Sequence, residues 1–286
     1  MSIVFTDVNY VYMAGTPFEQ TALKNINLEI KQGEFVGIIG HTGSGKSTLV
    51  QHMNGILKPS QGTVSVEGID LNAKGMPARN ARRKVGMVFQ YPEHQLFEET
   101  IYEDIAFGPR NLGLSSEEVE RRVTSALQFV GLDREAFGKR SPFQLSGGQM
   151  RRVAIAGVIA LEPEYLILDE PSAGLDPRGR EEILEQILEL HKTTETTVIL
   201  VSHSMEEVAK LADRLIVMND GMIGLDGPPQ EVFRHGREKL AVAGVDVPSV
   251  CTLLAELSER GLTVEGMPLT PEAATDAILA ARGRKR

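Results

Sequence analysis

A glycine-rich octapeptide constrains this chain more than any other feature of its sequence. It fits the pattern G-x-x-x-x-G-K-S, directly after the apolar run 35–39, and consists of Gly40, His41, Thr42, Gly43, Ser44, Gly45, Lys46 and Ser47. Glycines let consecutive backbone N–H groups turn toward one anion, and the N-terminal end of the following helix adds positive partial charge. The octapeptide therefore predicts a phosphate-binding loop in which Lys46 reaches the β- and γ-phosphates and Ser47 ligates Mg²⁺.

The alternation of apolar runs with helical patterns predicts the fold class. Near-continuous apolar runs, typical of parallel strands buried on both faces, cover 35–39, 85–89, 165–168 and 198–201. Residues 23–30 alternate as in a half-buried antiparallel strand, and a further strand pattern covers 215–225. Helical periodicity follows Lys46 and covers 116–130, 150–160, 180–190 and 205–211. We predict an α/β fold with a mostly parallel core sheet.

Charge and composition exclude several classes of protein. The chain carries 30 Lys and Arg against 39 Asp and Glu, a net charge of −9, which argues against a surface built to neutralise nucleic-acid phosphates. The single cysteine, Cys251, cannot form an intramolecular disulfide, and we expect it to be a small buried side chain. The sequence has no secretory signal pattern and no run of about 18 apolar residues, so we expect a cytoplasmic protein with at most a peripheral membrane role.

An acidic pair ends one of the apolar runs. Asp169 and Glu170 follow residues 165–168 directly. Asp169 is placed to hold Mg²⁺ through the water shell of the metal, and Glu170 is placed to orient or deprotonate the water that attacks a γ-phosphate. Such a pair is often only a helix cap or a solvated strand end. The phosphate loop in the same chain favours the catalytic interpretation.

A second anion site is predicted where a helical run begins. Leu145, Ser146, Gly147, Gly148 and Gln149 precede the helical pattern that starts at Met150. A serine and two glycines leave amide groups exposed at a helix N-terminus, although the same residues also suit an ordinary N-cap.

Together, the three motifs resemble those of the ATP-binding-cassette (ABC) ATPases, over residues 1–235. The resemblance implies an enzyme that hydrolyses ATP with Mg²⁺, and it adds Thr48 to the phosphate-binding residues. It also implies a dimer with two nucleotides between the subunits. In that arrangement the residues at the start of the predicted 150–160 helix, which we call the signature residues, act on the nucleotide of the partner subunit. The signature residues are Ser146, Gly147, Gly148 and Gln149.

Other positions match the same family one by one. Gln90 resembles the Q-loop glutamine that senses Mg²⁺ and the attacking water, and His203 resembles the switch histidine that contacts the γ-phosphate. Residues 172–176 resemble the D-loop, which touches the opposite subunit. Tyr12 occupies the place of the aromatic residue that stacks on adenine, with Tyr10 as the alternative.

Four segments narrow the resemblance to the A-component ATPases of energy-coupling factor (ECF) vitamin transporters, and most closely to the second of the two A-type subunits. The segments are 15–20, 40–43, 90–97 and 149–157. This resemblance implies a peripheral subunit on the cytoplasmic face of the cell membrane that powers uptake of vitamins or related micronutrients. Its implied partners are a second A-type ATPase in a heterodimer, a transmembrane T-component and a substrate-binding S-component.

The resemblance also implies a surface for the T-component. Residues 91–99 would line a groove for its coupling helix, with apolar contacts from Leu96 and Phe97. Charged contacts would come from Glu93, Glu98 and Glu99.

The predicted domains are an ATPase domain over 1–235 and a C-terminal extension over 236–286. The ATPase domain is expected to contain an N-terminal antiparallel β subdomain and, at about 91–160, a helical subdomain that carries the signature residues. The extension is a candidate dimerisation element. It contains two predicted helices, 248–260 and 271–282, the second with Thr270 as N-cap. Three leucines of the first helix, Leu253, Leu254 and Leu257, suit either the chain's own core or a partner. The chain ends in a basic tail: Arg282, Arg284, Lys285 and Arg286.

Other classes of function share the motifs. The ATPase of a conventional binding-protein-dependent ABC importer would use the same residues. A cassette translation factor normally carries two motif sets, whereas this chain carries one. A DNA-repair ATPase needs a long insertion between Ser47 and Leu145, and the interval has no room for it. The sequence leaves open the transported substrate and the choice between homodimer and heterodimer.

Overall fold

The computed structural model describes residues 1–283, apart from the side chains of His235 and Arg237. Arg284, Lys285 and Arg286 of the predicted basic tail lie outside this range. The described strands are β1 (Ser2–Tyr12), β2 (Gln20–Lys31), β3 (Phe35–Ile39), β4 (Gln61–Val66), β5 (Ile69–Asp70), β6 (Val85–Val88), β7 (Tyr165–Asp169), β8 (Thr197–Val201), β9 (Arg214–Asn219) and β10 (Met222–Gly227).

Helices occupy much of the remaining chain. They are α1 (Lys46–Met53), α2 (Met76–Arg83), α3 (Ile101–Asn111), α4 (Ser116–Phe129), α5 (Arg134–Phe137), α6 (Gly147–Ile159), α7 (Pro177–Thr194), α8 (Met205–Leu211), α9 (Pro229–His235), α10 (Arg237–Val242), α11 (Ser249–Glu259) and α12 (Pro271–Gly283). Two short 3₁₀ turns lie at Pro92–Gln95 and Pro142–Gln144. Within residues 1–283, no helix combines the length and the apolar character needed to cross a membrane.

The chain divides into two compact units. The first unit comprises Met1, Lys31–Gly33 and Ala73–Val198, and it contains helices α2 to α7. Its strands β6 and β7 are parallel neighbours, with Val85 paired with Tyr165. Every residue of β6 and β7 is buried, which explains why their sequences are apolar without alternation.

The second unit comprises Ser2–Ile30, Glu34–Asn72 and Ile199–Arg286. It contains a four-stranded sheet of order β2-β1-β4-β5, in which β1 pairs antiparallel with β4 and β4 pairs antiparallel with β5. Its other strands follow the order β10-β9-β3-β8, with β3 parallel to β9. The predicted class, an N-terminal antiparallel sheet with parallel core strands and helices, is confirmed.

Most predicted elements are confirmed, and one strand prediction is corrected. The pattern over 215–225 is a hairpin of β9 and β10, not one strand. Asp220 and Gly221 form its turn with φ of 47° and 79°. This left-handed pair suits the twist of a two-residue hairpin, and Asp-Gly is the sequence signal that identifies such a turn. The predicted boundaries of the ATPase domain, of its helical subdomain and of the extension stay predictions.

The C-terminal helices form where the sequence predicts them. Helices α11 and α12 correspond to 248–260 and 271–282, and the Thr270 hydroxyl accepts a hydrogen bond from Ala273 N–H at 3.3 Å, as expected of an N-cap. Cys251 is buried, as predicted. Leu253 is largely exposed, so it is not part of the chain's own core.

Helix α1 buries a histidine. Nδ1 of His52 lies 2.7 Å from the Thr48 carbonyl oxygen, so Nδ1 carries the ring proton. Nε2 is buried and has no hydrogen-bond partner among the described residues. Burial lowers the pKa of His52 below its ordinary 6.5, and the bond to Thr48 offsets only part of this effect.

This burial predicts a pH-dependent stability. In the unfolded chain His52 takes up a proton near pH 6.5, whereas in the folded chain its pKa is lower. The free energy of unfolding therefore falls as pH drops through 6.5 toward the lowered value, by at most about 1.4 kcal/mol per pH unit. Urea unfolding at several pH values should show a shallower slope for His52→Asn than for the wild type. Equal slopes for the wild type and for His52→Asn would contradict the prediction.

Candidate functional site

The phosphate loop connects β3 to α1, and its backbone packs closely against β9 and β2. A side chain on Gly40 would place Cβ 2.3 Å from the Met218 carbonyl oxygen, and one on Gly45 would place it 2.7 Å from the Ala22 carbonyl oxygen. Neither approach is compatible with a Cβ, so both positions require glycine. The predicted order of strand, loop and helix is present in the second unit.

Lys46 and Ser44 give the loop its chemical character. The buried Lys46 ammonium donates to the carbonyl oxygens of Gly40, at 2.7 Å, and His41, at 3.0 Å. The Ser44 hydroxyl is buried and has no hydrogen-bond partner within residues 1–283. A Cβ on Gly43 would meet nothing within 4 Å. An unsatisfied hydroxyl and a fixed cation beside an open glycine fit a phosphate group.

Two tyrosines lie close to this loop. The Tyr12 hydroxyl is 3.1 Å from Thr48 Oγ1, and the Tyr12 ring is 36 % exposed. Tyr10 packs edge-on against Tyr12, with ring centroids 4.7 Å apart, and against His52. Burial raises the pKa of Tyr10, and the neighbouring Tyr12 raises it further. Tyr12 is therefore the ring with an accessible face, and Tyr10 supports it from behind.

The acidic pair lies in the first unit, where β7 ends. Asp169 is the last residue of β7 and is buried. Glu170 has φ of 54°, a left-handed conformation that costs energy for a residue other than glycine. The turn that follows is held by Ala173 N–H donating to the Glu170 carbonyl oxygen. Strain of this kind at a strand end is common in active sites.

The predicted signature residues form the start of α6. The helix begins at Gly147, one turn earlier than the predicted Met150, because Ser146 and Gln149 form a reciprocal capping box. A Cβ on Gly147 would meet nothing within 4 Å. Leu175 of the predicted D-loop would lie 3.5 Å from a Cβ on Gly148, so the D-loop packs against the signature.

An ion pair that the sequence analysis missed joins α6 to the segment after Gln90. The Arg151 guanidinium donates to both carboxylate oxygens of Glu93, at 3.1 and 2.9 Å, and lies over the ring of Tyr91. Arg151 is 2 % exposed and Glu93 is 14 % exposed. Burial alone would raise the pKa of Glu93, but the hydrogen bonds and charge of Arg151 outweigh it, and the pKa is lowered.

Two residues predicted to line the groove are not accessible in the structure. Glu93 is engaged within the chain, and Leu96 is 6 % exposed, so neither forms an accessible part of a groove surface. Phe97 is 57 % exposed and packs edge-on against Phe107 of α3, with centroids 5.0 Å apart. Phe107 was not predicted, because an exposed phenylalanine in an amphipathic helix has no distinctive spacing. Gln90 and His203 are exposed at the ends of their strands.

Breaking the Arg151–Glu93 pair should destabilise the chain. Glu93→Gln leaves a buried guanidinium without its counter-charge, and we expect a loss of about 3 kcal/mol in the free energy of unfolding. The exposed pair of Arg110 and Glu103 supplies a matched control, because Glu103→Gln should cost less than about 1 kcal/mol. Urea denaturation at pH 7 measures both. Since the pKa of Glu93 is lowered, the difference should persist above pH 4.5 and shrink below it; equal losses would contradict the prediction.

Comparisons with known proteins agree with the motifs. The ABC transporter family profile matches residues 23–173. The energy-coupling factor transporter ATP-binding protein EcfA2 of Clostridium perfringens (strain 13 / Type A) is 56% identical over 98% of both chains. The protein of the same name from Clostridioides difficile (strain 630) is 53% identical over 99% of both.

Solved structures give the same result. The structure of cbiO1 from Clostridium perfringens, described as part of the ABC transporter complex cbiONQ, aligns with a TM-score of 0.73 and 38% identity, over 90% of this chain and 98% of that one. The ATP-binding cassette MJ0796, in a dimeric post-hydrolysis state bound to ADP and Pi, aligns with a TM-score of 0.71 and 33% identity, over 79% of this chain and 98% of that one. The chain belongs to the ABC transporter family and, within it, to the energy-coupling factor transporter ATP-binding proteins.

Proposed function

We propose that this chain is the ATP-binding and ATP-hydrolysing subunit of an ECF-type ABC transporter that takes up vitamins or related micronutrients. The observation that carries the proposal is the phosphate loop, in which the Lys46 ammonium is fixed by two loop carbonyls beside the unsatisfied Ser44 hydroxyl. Membership of the energy-coupling factor transporter ATP-binding proteins supports the same activity.

The binding roles follow from the donors at each position. Tyr12 stacks on adenine, and the phosphates are bound by Gly40, His41, Thr42, Gly43, Ser44, Gly45, Lys46, Ser47 and Thr48. Oxygen donors suited to Mg²⁺ are Ser47, Asp169 and Gln90. Bound Mg²⁺ would neutralise charge on the β- and γ-phosphates. The accessible ring of Tyr12 and its bond to Thr48 support the adenine assignment.

Hydrolysis is assigned to three side chains. Glu170 accepts a proton from the water whose oxygen bonds to the γ-phosphorus as the bond to the bridging oxygen breaks, leaving ADP and phosphate. His203 contacts the γ-phosphate, and Gln90 orients the water. The place of Glu170 directly after the buried Asp169, at the end of β7, supports its role.

The signature residues act on the nucleotide of a second subunit. Ser146, Gly147, Gly148 and Gln149 lie at the N-terminal end of α6, and the open space around Gly147 would admit a phosphate. The second subunit is a related A-type ATPase, which gives a heterodimer. The C-terminal extension, 236–286, would help to hold the two ATPases together.

A transmembrane T-component and a substrate-binding S-component complete the complex, with this chain on the cytoplasmic face of the cell membrane. The exposed aromatic residues beside the Q-loop support the T-component surface, namely Tyr91, Phe97 and Phe107. Exposed aromatic clusters of this kind are typical of protein contacts.

Replacing Glu170 tests the catalytic assignment. In the assembled transporter, Glu170→Gln should bind ATP as tightly as the wild type but hydrolyse it about 10² to 10⁴ times more slowly, because the proton acceptor is lost. Glu195 has a similar φ of 55° at the end of α7, so Glu195→Gln is the control and should keep its turnover. Wild-type turnover by Glu170→Gln would remove this residue from catalysis.

Replacing Phe97 tests the partner surface. Phe97→Ala should reduce co-purification of a T-like membrane protein by about tenfold or more, as loss of a central aromatic contact does. The exposed Phe18 provides the control variant Phe18→Ala. Wild-type recovery should include a second ATPase and small substrate-binding membrane proteins. A pair of permeases in their place would indicate a conventional importer.

A further inference from the structure

The phosphate loop is bonded to the C-terminal extension. His41 N–H donates to the Ala243 carbonyl oxygen at 3.2 Å. A Cβ on Gly244 would lie 3.3 Å from the Cβ of His41, so the two backbones are in close contact. Nothing in the nucleotide chemistry derived above requires residues 243–244.

The bonded peptide group also holds Lys46. The carbonyl of Gly40 and the N–H of His41 belong to one peptide unit, whose oxygen accepts from Lys46 Nζ and whose N–H donates to Ala243. A hydrogen bond to the carbonyl strengthens the N–H of the same unit as a donor. A rotation of this peptide would break both bonds, so Ala243 fixes the anchor of the phosphate-binding ammonium.

The carbonyl of Ala243 is available because of how α10 ends. Gly244 N–H donates to the Ala241 carbonyl and Val245 N–H to the Leu240 carbonyl, with Gly244 at φ of 60°. This pairing is a Schellman motif, in which Ala243 is the C-cap and its carbonyl is not used by the helix. Burial of Leu240 and Val245 holds the motif in place.

A few residues further on, the extension contacts a second functional segment. The Glu206 carboxylate accepts hydrogen bonds from the Ser249 hydroxyl, at 2.8 Å, and from its N–H, at 3.2 Å. Burial raises the pKa of Glu206, but the bonds from Ser249 outweigh it and lower the pKa. Glu206 lies in the first turn of α8, the helix that follows His203.

We propose that residues 243–249, which we call the C-terminal link, position the phosphate loop and the start of α8 for ATP hydrolysis. The C-terminal extension then acts on the ATPase site as well as on the proposed subunit contacts. The inference rests on the proposed function, since it adds positioning residues to the same site. Gly244 and Glu206 act through His41 and through α8.

The test compares two glycines of the extension. Gly244→Ala would place a Cβ 3.3 Å from the Cβ of His41, so the link or His41 must shift by a few tenths of an ångström. Gly261→Ala, at φ of 86° with nothing within 4 Å of the Cβ, has the same kind of backbone strain without the close contact. In the assembled transporter, Gly244→Ala should raise the KM for ATP about fivefold relative to Gly261→Ala at equal melting temperature. Equal KM values for the two variants would overturn the proposal.

A second variant covers the case in which Gly244→Ala does not assemble. Glu206→Ala frees the start of α8 and should lower kcat about fivefold with little change in KM. Its control is Glu117→Ala, an exposed residue in the first turn of α4. A kcat equal to that of the control would reject the role of the link at α8.

Direct ATP binding separates this inference from the proposed function. Lys46→Ala should lose binding of Mg-ATP if the site is assigned correctly. Retained binding would reject the proposed site itself. Lost binding in Lys46→Ala, together with equal constants for Gly244→Ala and Gly261→Ala, would reject only the C-terminal link.

Discussion

The close packing of Gly40 against β9 is the constraint on which the phosphate site depends. With no Cβ, the loop backbone lies against the Met218 carbonyl, and this contact directs the carbonyls of Gly40 and His41 toward Lys46. The ammonium is thereby held in a fixed place at the phosphate loop. A positive charge in a fixed place is the property a phosphate site needs.

The residues proposed for the site are divided between the two units. The second unit contains the phosphate loop, Tyr12 and His203, and the first contains Gln90, the acidic pair and the signature. Each group is held by local structure of its own, such as the capping box of Ser146 and Gln149. The Arg151–Glu93 pair links the signature helix to the segment that carries the exposed aromatic residues. That link provides a physical connection between the exposed aromatic residues and the residues at the start of α6.

Sequence reasoning succeeded where a motif is contiguous and failed where a contact joins distant segments. The phosphate loop, the acidic strand end and the helix cap at Ser146 depend on neighbouring residues, so spacing predicts them. Arg151 and Glu93 are 58 positions apart, and no spacing rule pairs them. Leu96 resembles an exposed groove residue in sequence, but the packing around the turn at Pro92–Gln95 buries it. The hairpin at Asp220 was missed because strand periodicity hid a two-residue turn.

The sequence by itself determined the α/β class, the family motifs and the order of the reacting groups, because these follow from local propensity and short-range spacing. Only the tertiary structure decided that Tyr12 has the accessible ring and Tyr10 the supporting one. It alone placed the Ala243 carbonyl against the phosphate loop, 202 positions after His41. The physical reason is that a backbone carbonyl has the same chemistry in every residue, so only folding determines which one receives a given N–H.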